Sequence, residues 1–172
     1  MIRDLIPLIV RFFVLIAVQV IILNNVQLSG YINPYLYVLF IVLLPVRFPK
    51  TAVLALGFIM GFIIDMFTNT AGMHAAATVF AAYVRPAILR FYSPRDGYDV
   101  DAVPDIHNLG FQWFLIYAST LVFIHHLALF FIEAFRFSDF LNTIMRVLLS
   151  SSITLILVII TQFLFRKSRP HR

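Results

Sequence analysis

The sequence predicts an all-α integral membrane protein, a bundle of about six transmembrane helices with both termini in the cytoplasm. Three observations predict it. The chain of 172 residues is 62% hydrophobic and 12% charged, against about 45–50% apolar and about 25% charged residues in soluble domains. Its apolar residues are gathered into long runs. Its basic residues stand at the edges of those runs, and nearly all on one side. The length is that of one domain, and an apolar excess of this size exceeds what the chain's own polar groups can cover, so it faces lipid. Nineteen Phe against seven Tyr and one Trp suit helix surfaces in contact with hydrocarbon.

A helix crosses ~30 Å of hydrocarbon with roughly 20 apolar residues, each rising about 1.5 Å. Spans are expected at about 5–23, 51–67, 73–91, 111–134 and 141–165. The first pairs Arg3 with an apolar run, as a signal peptide does, but no small-x-small cleavage site follows, and it reads as an uncleaved span. The run 32–48 has seventeen residues and contains Pro34 and Pro45. It lies at the lower limit for crossing, with a re-entrant segment as the alternative.

Charge decides between the two. With six spans and the N-terminus inside, the cytoplasmic side holds Arg3, Arg11, Arg47, Lys50, Arg85, Arg90, Arg95, Arg166, Lys167, Arg169 and Arg172, and the outside only Arg136 and Arg146. If 32–48 does not cross, every later loop changes side, and the 11-to-2 split becomes 4 inside and 9 outside. Only the first arrangement obeys the positive-inside rule. The connections are short except for the cytoplasmic loop 92–110, which carries four Asp and many turn formers.

The net charge of +5 does not mark a nucleic-acid surface, because the basic residues flank apolar runs rather than sharing a polar face. The absence of Cys excludes disulfides and thiolate metal sites. No phosphate-cradling Gly-Lys-Ser/Thr loop, nucleophile-elbow serine or zinc-binding His-Glu-x-x-His pattern is present. The expectation is a protein without enzymatic activity, catalytic residues, cofactor or metal.

Gly57 and Gly61 lie four apart on one helical face and allow close approach of another helix, within the chain or from a partner. Asp65 shares that face. A carboxylate there is costly unless paired or hydrated, so it either orders the turn Asp65–Gly72 or contacts a partner. His74 opens the next span beside small residues and reads as an interfacial hydrogen-bonding group. His125 and His126 sit mid-span and point about 100° apart, too divergent for one metal, with one of them expected to face the interior. Arg11 and Arg146 are placed to snorkel or to pair with Glu133 or Asp139. Pro86 removes a helix hydrogen bond and can kink its helix, while Arg85 beside it is expected to reach headgroups or the Asp-rich loop.

The stretch Gly30-Tyr-Ile-Asn-Pro34-Tyr35-Leu-Tyr37, then Leu44-Pro45, Gly57–Asp65, Gly72-Met-His74-Ala75 and Arg85-Pro86 resembles the rod-shape-determining MreD family, in a form similar to Bacteroidetes members. Size and hydropathy match along the whole chain, and the motifs over about residues 30–90. The resemblance implies a non-enzymatic multi-pass component of the bacterial inner membrane, part of the cell-elongation machinery that builds side-wall peptidoglycan. It implies association with an MreC-like protein, and through it with an MreB-like filament, a RodA-type glycosyltransferase and a class B penicillin-binding protein. Gly57, Gly61, Asp65, Gly72, His74, Arg85 and Pro86 are the candidate partner-binding or structural residues. The family also resembles the substrate-binding subunits of energy-coupling-factor vitamin transporters. On that alternative Asn24, Asn25, Gln27, Asn69 and His74 would line an outward-facing pocket.

Overall fold

The computed structural model describes residues 2–26, 32–99, 102–134 and 140–164. Gln27, Gly30, Tyr31, Arg136, Asp139, Arg166, Lys167, Arg169 and Arg172 lie outside the described residues. Among those described, the chain is helical without a strand. Its elements are α1 (Ile2–Ala17), α2 (Leu39–Val42), α3 (Lys50–Thr68), α4 (Met73–Phe91), α5 (Ile106–Leu109), α6 (Phe111–Ala134) and α7 (Phe140–Leu164). A π turn (Val18–Ile22) and a 3-10 turn (Leu23–Asn25) extend α1, and a second 3-10 turn (Leu36–Val38) leads into α2.

Four helical segments are long and apolar enough to cross a membrane: Leu5–Asn25, Lys50–Thr68, Phe111–Ala134 and Phe140–Leu164. Helix α4 has the same length as α3, 19 residues, but His74, Thr78, Arg85 and Arg90 dilute its apolar character. The first three of these are buried, because α4 packs between α3 and α6. Its inward stripe, Ala77, Thr78, Ala81, Ala82, Arg85 and Ile88, keeps helical spacing.

The segment 32–48 is not a continuous helix. It is irregular through Asn33, Pro34 and Tyr35, makes the turn 36–38 and the single α turn of α2, then leaves helical geometry. Pro34 has no N–H to donate, and Tyr35 before the turn is held at φ −117, ψ 76. Every residue from Leu36 to Leu44 is at most 7% exposed, the most continuous burial among the described residues. The segment touches α1, α3, α4 and α7, and α6 through Tyr117. It runs from one end of the bundle to the other. Pro34 lies beside Gln19, whose side chain also bonds Asn24, while Val46 N donates to Ala102 O in the 92–110 loop at 2.9 Å. Hereafter these are the turn end, which includes the α3–α4 connection, and the loop end.

That connection is tight. Helix α3 ends on Asn69 in the left-handed region, φ 55, and Gly72 at φ 83 starts α4. The helices then stay close because two glycines face α4. A Cβ on Gly57 would lie 3.2 Å from Ala82 Cβ, a contact that a small shift relieves. On Gly61 it would lie 2.5 Å from both Ala75 Cα and His74 O, which are backbone atoms. Gly61→Ala is therefore expected to destabilise by about 2–3 kcal/mol, and Gly57→Ala by about 1 kcal/mol or less. Thermal unfolding of both variants in the same detergent checks this; equal midpoints would mean that the helices separate freely at this point.

Candidate functional site

Asp65 is the hub of the turn end. It sits in the last turn of α3, 3% exposed, with the N-terminus of α4 directly before it. His74 N donates to Oδ1 at 3.0 Å and Ala75 N to Oδ2 at 2.9 Å. The Thr70 hydroxyl adds a third bond to Oδ1 at 2.5 Å. The carboxylate thus caps α4 from a different helix, taking N–H groups that the first turn of any helix leaves without intrahelical partners. The partial positive charge at that helix end favours the anion.

One turn further in lies a cluster of rings. Tyr37 Oη is 2.9 Å from His74 Nδ1 and 2.8 Å from His125 Nε2. The Thr78 hydroxyl uses its proton on His74 O at 2.7 Å, so toward His125 Nε2, 3.5 Å away, it only accepts. Burial of His125 Nδ1 without a partner favours the tautomer with its proton on Nε2, in which Tyr37 donates to His74 Nδ1. This leaves His125 Nδ1, a buried atom without a partner, as a lone pair rather than an unpaired N–H, the less costly of the two. Beside it a second chain of bonds fixes its own protons. Tyr35 N donates to Thr154 Oγ1 at 3.0 Å, Thr154 donates to His126 Nε2 at 3.1 Å, and His126 Nδ1 donates to Val122 O at 2.8 Å. Both His125 and His126 are fully buried, where one of them was expected to face the interior. A helix that packs on two neighbours has an interior wider than 100°.

At the loop end the deviation from expectation is larger. Arg85 does not reach headgroups or the Asp-rich loop: it is 1% exposed. Its Nε donates to Tyr117 Oη at 2.9 Å and its NH2 to Leu44 O, while Tyr117 donates to Val42 O at 3.0 Å. Half-buried Arg11 donates to Leu43 O at 3.2 Å. Three side chains from α1, α4 and α6 therefore close three consecutive carbonyls where α2 ends. Pro86 lies inside α4, which continues through it to Phe91. Arg146 pairs with Glu133 at 3.2 Å and lies 4.5 Å from the Phe130 ring centroid.

Of the predicted site residues, Gly57, Gly61, Asp65, Gly72 and His74 come together at the α3–α4 hairpin. Arg85 and Pro86 lie apart from them toward the loop end. Gly57 and Gly61 are covered by α4, while Asp65 and Gly72 also line a lateral groove beside it. Sequence reasoning passed over Gln19, Tyr117, Ser150 and Thr154, and quoted Tyr37 only within the stretch that carries the resemblance. A signal for two of them was present: Ser150 and Thr154 follow Thr143 and Val147 at helical spacing, a polar stripe in an apolar span, and such stripes mark the interior.

Among the described residues no group of three or more His, Cys, Asp or Glu side chains is placed to hold a metal. Fold and site together describe an all-helical chain of membrane-spanning character, pinned internally by buried polar groups. No family model, curated protein or solved structure matches the chain.

Two outcomes follow from the pins. Asp65→Ala removes the α4 cap and is expected to cost about 2 kcal/mol or more, with Thr70→Ala costing less. Arg85→Met leaves the Leu44 carbonyl and the Tyr117 hydroxyl without their donor and is expected to cost about 2–4 kcal/mol, of which Arg85→Lys restores only part. Unfolding midpoints in lipid nanodiscs measure both. A Met variant as stable as the parent would show that the segment 36–44 does not depend on this pin.

Proposed function

We propose that this chain is a non-enzymatic scaffold or regulator of the bacterial cell-elongation complex, an MreD-type protein of the inner membrane, with its loop end in the cytoplasm. The observation that carries the reading is the α3–α4 hairpin. Gly57, Gly61, Asp65, Gly72 and His74, which carry the resemblance to that family together with Pro34, Arg85 and Pro86, weld two helices into one unit. The lateral face of that unit is left open as a groove of about 790 Å³. Phe58 and Phe62, stacked at 5.7 Å, form one wall with Met66, and Ala75, Ala76 and Val79 form the floor. Phe58, Phe62 and Met66 are 52%, 48% and 70% exposed.

A groove with small residues on its floor beside one aromatic ridge suits a transmembrane helix, since association in lipid relies on close packing rather than on the hydrophobic effect. The partner on this reading is the membrane span of an MreC-like protein, which connects the chain to an MreB-like filament, a RodA-type glycosyltransferase and a class B penicillin-binding protein. The buried side chains of Gln19, Asp65, His74, Thr78, Arg85, His126, Ser150 and Thr154 are engaged with one another, with other side chains and with backbone, which supports a structural role for them. The positive-inside distribution supports six crossings, with the irregular segment 32–48 as the second.

Purification from native membranes in mild detergent, with mass spectrometry of the co-isolated proteins, tests the reading. The MreC-like partner is expected with the parent chain. Ala76→Leu, which fills the groove floor, is expected to reduce its recovery about tenfold, a loss of about 1.4 kcal/mol, while Phe163→Leu on exposed α7 leaves it unchanged. Equal recovery with all three chains would remove the groove as the contact. Paired ATP-binding subunits in place of the MreC-like protein would favour the transporter subunit instead.

A further inference from the structure

A second cavity, of about 400 Å³, lies at the turn end between the tip of α1, residues 33–35, the α3–α4 turn and α6. It differs from the lateral groove in chemistry. Asn24, Asn25, Asn33, Tyr35, His74 and Glu133 all contribute to its lining, a concentration of polar groups in a chain that is 62% hydrophobic. We propose that this cavity binds a small uncharged ring molecule bearing hydroxyl or amide substituents, of pyranose size, either free or as the headgroup of a glycolipid.

The walls are held in place before any ligand arrives. Gln19, fully buried, donates to Asn24 Oδ1 at 2.9 Å and to Pro34 O at 3.1 Å, fixing two walls to each other. His74 is held by Tyr37 on one side and by the bond from its own N–H to Asp65 on the other. The Tyr35 ring is wedged against His74 at 5.0 Å, His126 at 5.6 Å and Phe130 at 6.1 Å. Such preorganisation lowers the ordering cost of binding.

The lining also selects a class. Amides, a phenol and an imidazole offer donors and acceptors together, so the complement carries both, as hydroxyl and amide groups do. The one carboxylate, Glu133, is already matched by Arg146 at 3.2 Å, so no net charge is left to attract an ion. The Tyr35 ring and Leu129 give the cavity an apolar side. A pyranose has a polar rim and a C–H face, and the volume lies at the small end of ligand cavities, roughly 300–1,000 Å³. The position at a bundle end, where lipid headgroups would lie, admits both sources.

The test uses the full chain in phosphatidylcholine nanodiscs, free of glycoside detergent, with two probes. One is free glucose and the other is monoglucosyl diacylglycerol incorporated in the disc. A ligand of the folded state raises the unfolding midpoint, by on the order of 5 °C near saturation. At least one probe is expected to do so in the parent chain and to fail with Asn33→Leu, which keeps the backbone bond from Asn33 N to Ser150. Asn25→Leu replaces that variant if it does not fold. A shift with glucose identifies a soluble ligand, and one with the glycolipid alone identifies a headgroup. No shift with either probe, or equal shifts in parent and variant, overturns the proposal. The partner-recovery experiment stands independently of either result.

Discussion

Backbone that leaves helical geometry inside a bilayer has no water to turn to, so each exposed N–H and C=O must be met by protein. Between Asn33 and Leu44 this chain meets that demand with side chains from four different helices. Ser150 and Thr154 of α7 accept from Asn33 N and Tyr35 N. Gln19, at the tip of α1, takes Pro34 O and Tyr37 N. Tyr117 of α6, Arg11 of α1 and Arg85 of α4 take the carbonyls of Val42, Leu43 and Leu44. Helices α1, α4, α6 and α7 are thus arranged around an irregular segment that none of the four can release without leaving a polar group bare. The dependence is mutual, because those same polar side chains would be costly in lipid if the segment were elsewhere.

This arrangement also explains how a buried arginine is tolerated. Moving a guanidinium out of water is expensive, and breaking its contacts leaves an uncompensated charge. Arg85 recovers part of that cost from Tyr117 Oη and from the Leu44 carbonyl just past the C-terminal end of α2, where carbonyls without helical partners favour a cation. Asp65 is the converse case, a carboxylate against the N-terminal N–H groups of α4. The two charged residues, one near each end of the bundle, are placed by the same rule with opposite sign.

Much of this was legible in the sequence, and the limits have physical causes. Length and hydropathy located α1, α3, α6 and α7, because a membrane demands a long apolar run and little else imitates one. The glycine spacing marked the close-contact face of α3, since Gly57 and Gly61 leave that face bare whatever covers it, but not that α4 is what covers it. The run 32–48 was flagged by its two prolines and its short length, but its path was not readable. Periodicity carries no signal where the backbone is held by distant side chains. Arg85 was misplaced for a related reason: a basic residue near a span end usually snorkels, and only the bundle shows that Tyr117 and the Leu44 carbonyl lie within reach. The Tyr37–His74–His125 bridge joins residues 37 and 88 apart in sequence, and no local pattern announces it.

Polar pins and glycine contacts leave the outer surface of the bundle free of structural duty. In water the apolar faces of helices are consumed in building the core, but in lipid they gain little by meeting one another. Here the inward faces of α4, α6 and α7 carry the His, Arg, Ser and Thr residues, and the outward faces of α3, α4 and α7 carry Phe58, Phe62, Met66, Phe80 and Ile160, each at least 47% exposed. A bundle whose shape is fixed from within by hydrogen bonds can vary its lateral surface without losing its fold. Apart from the loop 92–110, lateral surface is also most of what the described bundle has to offer a partner, so the constraint that orders the interior leaves the outside available for recognition.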